Sequence, residues 1–152
     1  MRSLKNRYVF PFRVMDTYLD TLDETGNALM VYRNGVLIFG SSAKGIRPHL
    51  EAIERFGKEG LRGTLMVDKI VGRAAALLMI YSLPSDVYAG VITLSAKSLL
   101  EGSDIRVHPR EIVEAVKQKD GIIYCPFESM VQGISDADEA YDAIIEKMRS
   151  LK

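Results

Sequence analysis

The sequence predicts an α/β domain, built as a three-layer α/β/α sandwich around a mixed β-sheet. Three observations carry this prediction: a β-hairpin pattern early in the chain, a helical pattern with almost no polar face near its middle, and alternating short strands and helices after it. A helix without a polar face must be covered on most sides. A sheet that begins antiparallel and continues through parallel crossovers provides such cover, because helices then lie on both of its faces.

The composition describes one ordinary domain that spans residues 1–152. Of the 152 residues, 47% are hydrophobic and 26% are charged, and the 20 basic and 20 acidic side chains balance to a net charge of zero. This balance argues against a protein that coats nucleic acid or a membrane surface. The single cysteine, Cys125, excludes an internal disulfide and favours a reducing compartment, so we expect a cytoplasmic protein.

The first elements of the sheet and its helical cover are predicted from turn residues. Two apolar runs between Leu29 and Ser41 flank Asn34-Gly35, a dipeptide that favours a type I′ hairpin turn. Pro48 suits the first turn of a helix, which Gly57 and Gly60 should end.

The central helix is predicted over residues 68–82, with Asp68 as its N-cap and Pro84 as the residue that stops it. Nearly everything after Arg73 is apolar or small, although no apolar run approaches the ~20 residues needed to cross a bilayer. The later pattern predicts, in order, a strand at 86–94, a helix from Ser95 to Leu100, a strand at 105–107, a helix from Pro109 to Lys117, an edge strand or extended loop at 122–127, and a final amphipathic helix capped by Ser135 or Asp138.

Several of these segments together resemble the domain-of-unknown-function 1893 family of prokaryotes. The likeness rests on the Asn34-Gly35 hairpin, on Ser41-Ser42-Ala43-Lys44-Gly45-Ile46-Arg47-Pro48, on Asp68-Lys69-Ile70-Val71-Gly72-Arg73-Ala74-Ala75-Ala76, and on Cys125-Pro126-Phe127-Glu128. The resemblance implies a cytidine deaminase-like fold that lacks the deaminase zinc ligands, with a core at about residues 14–150 and an N-terminal extension at 1–13. It implies no assigned biochemical role.

The residue inventory agrees that no zinc site of the deaminase type is present. Such a site needs a His or Cys two residues before a Glu at one helix start and a Pro-Cys-x-x-Cys at the next. Residues 67–70 and 94–98 occupy those places and offer no such ligands, while His49, His108 and Cys125 are scattered along the chain. We therefore predict neither a bound metal nor hydrolytic deamination by the zinc mechanism.

The candidate ligand site lies at the predicted start of the central helix. Asp68, Lys69, Gly72 and Arg73 fall there, where free backbone N–H groups and the helix dipole favour an anion. The alternative interpretation makes Asp68 a cap, Gly72 a close packing position, and the two basic side chains solvated groups.

Other residues are weaker candidates for a ligand site. Ser42, Lys44 and Arg47 precede another helix start and extend the predicted anion site, although they lack the pattern of a P-loop. Cys125 and Glu128 are possible reactive or pocket residues, with a buried thiol and a solvated carboxylate as the simpler interpretations. His49 and His108 have no neighbours at metal-ligand spacing, which favours structural roles for both.

Three classes of function stay open at this point. The first is a protein that binds a nucleotide-type or other anionic small molecule, such as a nucleotide or an ADP-ribose-like compound, with no other cofactor. The second is an enzyme without a metal that uses Asp68 or Glu128 as a general base or Lys69 as an electrostatic group. The third is a structural or interaction module; in each case we expect a homo-oligomer.

Overall fold

The computed structural model describes residues 17–115 and 126–151 of the chain. The described strands are β1 (Leu29–Arg33), β2 (Val36–Ser41), β3 (Leu65–Val71), β4 (Asp86–Thr93) and β5 (Arg106–Val113). The described helices are α1 (residues 17–25), α2 (Arg47–Leu61), α3 (Arg73–Ser82), α4 (Leu94–Gly102), α5 (Pro126–Met130) and α6 (Ala137–Ser150). None of the helices in these two ranges combines the length and the apolar character needed to span a bilayer.

The strands form one mixed sheet in the order β2-β1-β3-β4-β5. Strand β1 is antiparallel to both β2 and β3, whereas β3, β4 and β5 are mutually parallel. The predicted hairpin is confirmed: Asn34 and Gly35 form its turn with φ values of 51° and 80°, the left-handed conformation that a type I′ turn requires. The sheet therefore starts antiparallel and continues in parallel, as predicted.

Helices cover both faces of the sheet, which confirms the three-layer arrangement. Side chains alternate between the two faces along each strand. On one face, Met30 and Val67 pack against Leu19 and Leu22 of α1. On the other face, the strands contribute to the larger core, in which α3 lies between α2 and α4 and also contacts α6.

The predicted central helix exists, but it begins five residues later than the sequence pattern indicates. Asp68 is not its N-cap, because residues 65–71 form β3, which is hydrogen-bonded to β1 on one side and β4 on the other. Val67, Ile70 and Val71 are β-branched and favour extended backbone. Helix α3 starts at Arg73 with Gly72 as its N-cap residue.

The helix predicted from Pro109 is also wrong, because β5 continues through this proline to Val113. Pro109 pairs in register with Ala89 of β4, and β5 is an edge strand of the described sheet. An edge strand tolerates proline, since one side of its backbone has no strand partner.

The remaining differences concern element ends. Thr93, rather than Ser95, caps α4 by accepting a hydrogen bond from the Ala96 amide, and Asp136 caps α6. Helix α2 continues through a non-helical Gly57 to Leu61. The predicted strand or loop at 122–127 lies outside the described residues up to 125, and Pro126 and Phe127 are helical instead of extended.

A cluster of polar side chains joins β4 to β5 at the edge where the parallel strands begin. Asp86 accepts two hydrogen bonds from the Arg106 guanidinium, at 2.8 Å each, one from Ser85 at 2.8 Å, and lies 3.0 Å from Nε2 of His108. The bonds from Arg106 are the main reason why the pKa of Asp86 lies well below its ordinary value; partial burial opposes this shift, and His108 and Ser85 add to it.

We predict that Asp86→Asn lowers the free energy of unfolding at pH 7 by about 1 kcal/mol, a small value because the Arg106 side chain is 71% exposed. A carboxyl whose pKa is depressed in the folded state stabilises the protein above its unfolded pKa of about 4 and loses this effect as the pH falls. Urea denaturation should therefore show that the difference between variant and wild type shrinks below about pH 4. A difference that stays constant from pH 7 to pH 2 would contradict this assignment.

Candidate ligand-binding cleft

The carboxyl ends of the three parallel strands lie at one edge of the sheet, and a cleft opens there. Helix α3 begins directly after β3, helix α4 directly after β4, and Glu114 follows the last residue of β5. The cleft has a volume of about 710 Å³ and is lined by Arg73, Leu94, Ser95, Ser98, Leu99 and Glu114. Open α/β sheets commonly bind ligands in a crevice at this edge.

The lining combines an apolar surface with polar groups from helix α4. Leu94 is 56% exposed, and Leu99, which also lines the cleft, is half-buried. Ser95 and Ser98 are both exposed and add hydroxyl groups. A cleft of this kind offers a surface for an apolar ring together with donors and acceptors that orient it.

Arg73 lies at the start of α3 and holds the segment that connects α5 to α6. Its Nε donates to the Val131 carbonyl at 2.9 Å, and its Nη2 donates to the Ile134 carbonyl at 2.6 Å and to the Ser135 hydroxyl at 3.5 Å. The guanidinium forms no salt bridge within the described part of the chain. It is therefore a charge that is held by neutral acceptors beside the cleft.

Glu128 of α5 occupies the N-terminus of α3. Its Oε1 accepts a hydrogen bond from the Ala74 amide at 2.6 Å and its Oε2 accepts one from the Arg73 amide at 3.1 Å. Gly72 is buried against this carboxylate, since a Cβ at that position would lie 2.9 Å from Oε1. The amides that the sequence predicted to attract an anion thus bind a carboxylate of the protein itself.

Asp68 and His49 form a buried pair between β3 and the first turn of α2. Their Oδ2 and Nε2 atoms lie 2.6 Å apart, and the side chains are only 9% and 3% exposed. His49 has no partner nearby in the sequence, because Asp68 lies 19 residues away on another element. The available signal was the apolar run Leu65-Met66-Val67 directly before Asp68, because in a strand Asp68 then shares a face with Met66.

The other predicted site residues are not brought into the cleft. Lys69 is exposed on β3, and Ser42, Lys44 and Arg47 are exposed at the start of α2; none of the four lines the cleft. His108 contacts Asp86 at the opposite edge of the sheet. Cys125 lies outside the described residues.

In residues 17–115 and 126–151, no three His, Cys, Asp or Glu side chains are grouped so that they can hold a metal ion. Because Cys125 is outside these ranges, the absence of a zinc site stays a prediction from the residue inventory.

Comparison with known proteins places this arrangement in a family. Residues 18–148 match the family described as domain of unknown function, DUF1893. The chain belongs to this family. A crystal structure of a DUF1893 family protein from Thermotoga maritima shares 30% sequence identity with a TM-score of 0.77, and the match covers 89% of this chain and 90% of that one. No curated protein matches the sequence.

We predict that Asp68→Asn lowers the free energy of unfolding by about 1 to 3 kcal/mol, because the buried Nε2 of His49, 2.6 Å from Oδ2, then faces a poorer hydrogen-bond partner. Denaturation of the exposed control Asp104→Asn should give a change within about 0.5 kcal/mol. Equal effects of the two substitutions would show that the buried pair has no special role.

We also predict that Glu128→Ala lowers the free energy of unfolding by about 1 to 2 kcal/mol, because the first turn of α3 loses two acceptors and a favourable charge. Ser129→Ala is the matched control, since Ser129 is the exposed neighbour on the same helix. Hydrogen exchange at the Arg73 and Ala74 amides should accelerate only in the Glu128 variant. Unchanged protection of these amides would contradict the capping role.

Proposed function

We propose that this DUF1893 protein binds a nucleotide-type small molecule in the cleft at the carboxyl edge of its sheet. The observation that carries the proposal is the position of the cleft, between the starts of α3 and α4 and the end of β5. At this edge the helix N-termini and strand ends of α/β proteins converge on bound ligands.

The lining supports a nucleotide-type ligand by its mixture of groups. Leu94 and Leu99 offer an apolar surface for a base, while Ser95 and Ser98 offer hydroxyls for a sugar or for ring atoms. The cleft volume of about 710 Å³ lies within the range of ordinary small-molecule sites.

The exposed basic side chains of Lys44 and Arg47 lie at the start of α2. Strand β2, which precedes them, runs parallel to β3, because both strands are antiparallel to β1. These side chains therefore lie at the same edge of the sheet as the cleft and favour an anionic extension of the ligand. Lys69 and Ser42 are also exposed, and we include them among the groups that bind this anionic extension. Asp68 and Gly72 are buried, and their proposed role is to hold the surrounding structure in place.

The test is a thermal-shift and calorimetric screen of the full chain against nucleotides, dinucleotides and ADP-ribose. A ligand at ten times its Kd should raise the Tm by about 3 to 6 °C, because binding to the folded state alone adds about 1.4 kcal/mol to its stability.

Ser98→Phe locates the site, because it places a large ring in the cleft at an exposed helix position. We expect it to weaken binding at least about tenfold. Ser129→Phe makes the same change on α5 away from the lining and should leave binding intact. Saturable binding that Ser98→Phe leaves unaffected would place the ligand elsewhere, and no saturable binding at millimolar ligand would reject the proposed function.

Two further predictions from the sequence belong to this proposal. The single cysteine supports a cytoplasmic location. We also infer a homo-oligomer, which light scattering of the purified chain can test directly.

A further inference from the structure

The cleft contains two opposite charges that do not neutralise each other. Arg73 lines it on the α3 side, and Glu114 lines it at the end of β5. Neither residue forms a salt bridge with the other or with any other residue in the described ranges. An opposite pair that faces a common cleft without contact leaves room for a ligand between its members.

Arg73 retains hydrogen-bonding capacity toward a ligand. Its Nε and Nη2 are bound to backbone carbonyls and to a hydroxyl, whereas its Nη1 has no acceptor among the described residues. These fixed bonds orient the planar guanidinium and lower the entropic cost of using its remaining donors. A ligand at this end of the cleft is therefore expected to present an acceptor or an anionic group.

Glu114 offers the opposite chemistry at the other end. Its carboxylate is exposed and has no hydrogen-bond donor in the described part of the chain. An ionised carboxylate only accepts hydrogen bonds, so it favours an amino group or a ring N–H and disfavours a carbonyl. Ser95 and Ser98 complete the polar lining and can bind a ligand of either polarity.

The N-terminus of α3 does not supply the anion site that the sequence analysis predicted there. Both oxygens of Glu128 already accept hydrogen bonds from the first amides of this helix, and Gly72 packs against that carboxylate. The negative charge of Glu128 would repel a phosphate that approached the same amides. Among the described residues that line the cleft, Arg73 is thus the positively charged group that is available to a ligand.

We propose that the cleft selects a dipolar ligand, whose anionic group binds the Arg73 guanidinium and whose amino group binds the carboxylate of Glu114. The inference rests on the proposed function and narrows it to nucleotides that carry an amino group on the base. Glu114 is then the residue that determines specificity, because its carboxylate accepts from the amino group and has no donor to accept from when the ligand lacks that group.

The experiment uses two matched pairs of probes, AMP with purine riboside 5′-monophosphate and CMP with 2-pyrimidinone riboside 5′-monophosphate, in calorimetric titrations of the full chain. Within each pair the amino group of the base is replaced by hydrogen, while the ring nitrogens, sugar and phosphate are unchanged. Wild-type protein should bind the amino member about tenfold more tightly, since the other member has no N–H to donate to the carboxylate of Glu114. Glu114→Gln should lessen this preference, because an amide oxygen is a weaker acceptor than an ionised carboxylate.

The controls test the Arg73 end and the Glu114 end of the ligand separately. They also distinguish a failure of the dipolar inference from a failure of the proposed function. Glu101→Gln removes an exposed carboxylate from α4 outside the lining and should retain the full amino preference. Adenosine should bind about tenfold more weakly than AMP if Arg73 binds the phosphate. Equal binding of adenosine and AMP, or equal binding of the members of each pair by the wild type, would overturn the dipolar inference and leave the proposed function standing. Absence of binding by every probe would overturn both.

Discussion

The burial of helix α3 is the constraint on which the rest of the structure depends. Every side chain from Ala74 to Met79 is buried, so this helix has no face that can meet water. Burial of each large member of the set stabilises the fold by about 1.5 to 3 kcal/mol, provided that neighbours surround it completely. Helices α2, α4 and α6 and the sheet supply this cover. The same packing sets the starts of α3 and α4 at the edge where the cleft opens, because each helix follows its strand almost without a connecting loop.

At this edge the free backbone amides at the start of α3 are hydrogen-bonded by a side chain of the protein, so they do not need a ligand. Glu128 supplies the charge that the start of α3 favours, and Arg73 in turn donates to the carbonyls that follow α5. In each of these contacts the start of α3 donates, and Glu128 or a carbonyl after α5 accepts. The C-terminal part of the chain is thereby attached to the centre of the fold by hydrogen bonds as well as by the buried Val131.

The features that the sequence predicted correctly are those that neighbouring residues determine. The Asn34-Gly35 turn, the apolar character of α3 and the amphipathic pattern of α6 all come from short-range chemistry, and so the sandwich was predictable. The start of α3 was not, because pairing of β3 with two other strands overrides the capping tendency of Asp68. The same limit applies to the site: the contact of His49 with Asp68 and the placement of Glu128 join distant elements, and no local pattern announces them. Of the lining residues of the cleft, only Arg73 was among the predicted site residues.

The cap of α3 has a consequence for how the chain acquires its structure. Glu128 follows Arg73 and Ala74 by 55 and 54 residues, whereas most helix caps lie within a turn of the helix they serve. A nascent chain emerges from the ribosome in order, so α3 is synthesised well before its acceptor exists. Until α5 follows, the first amides of α3 lack this carboxylate, and the apolar helix behind them lacks the cover of α6. The central element of this protein therefore reaches its final state only after the segment that carries α5 and α6 has been translated.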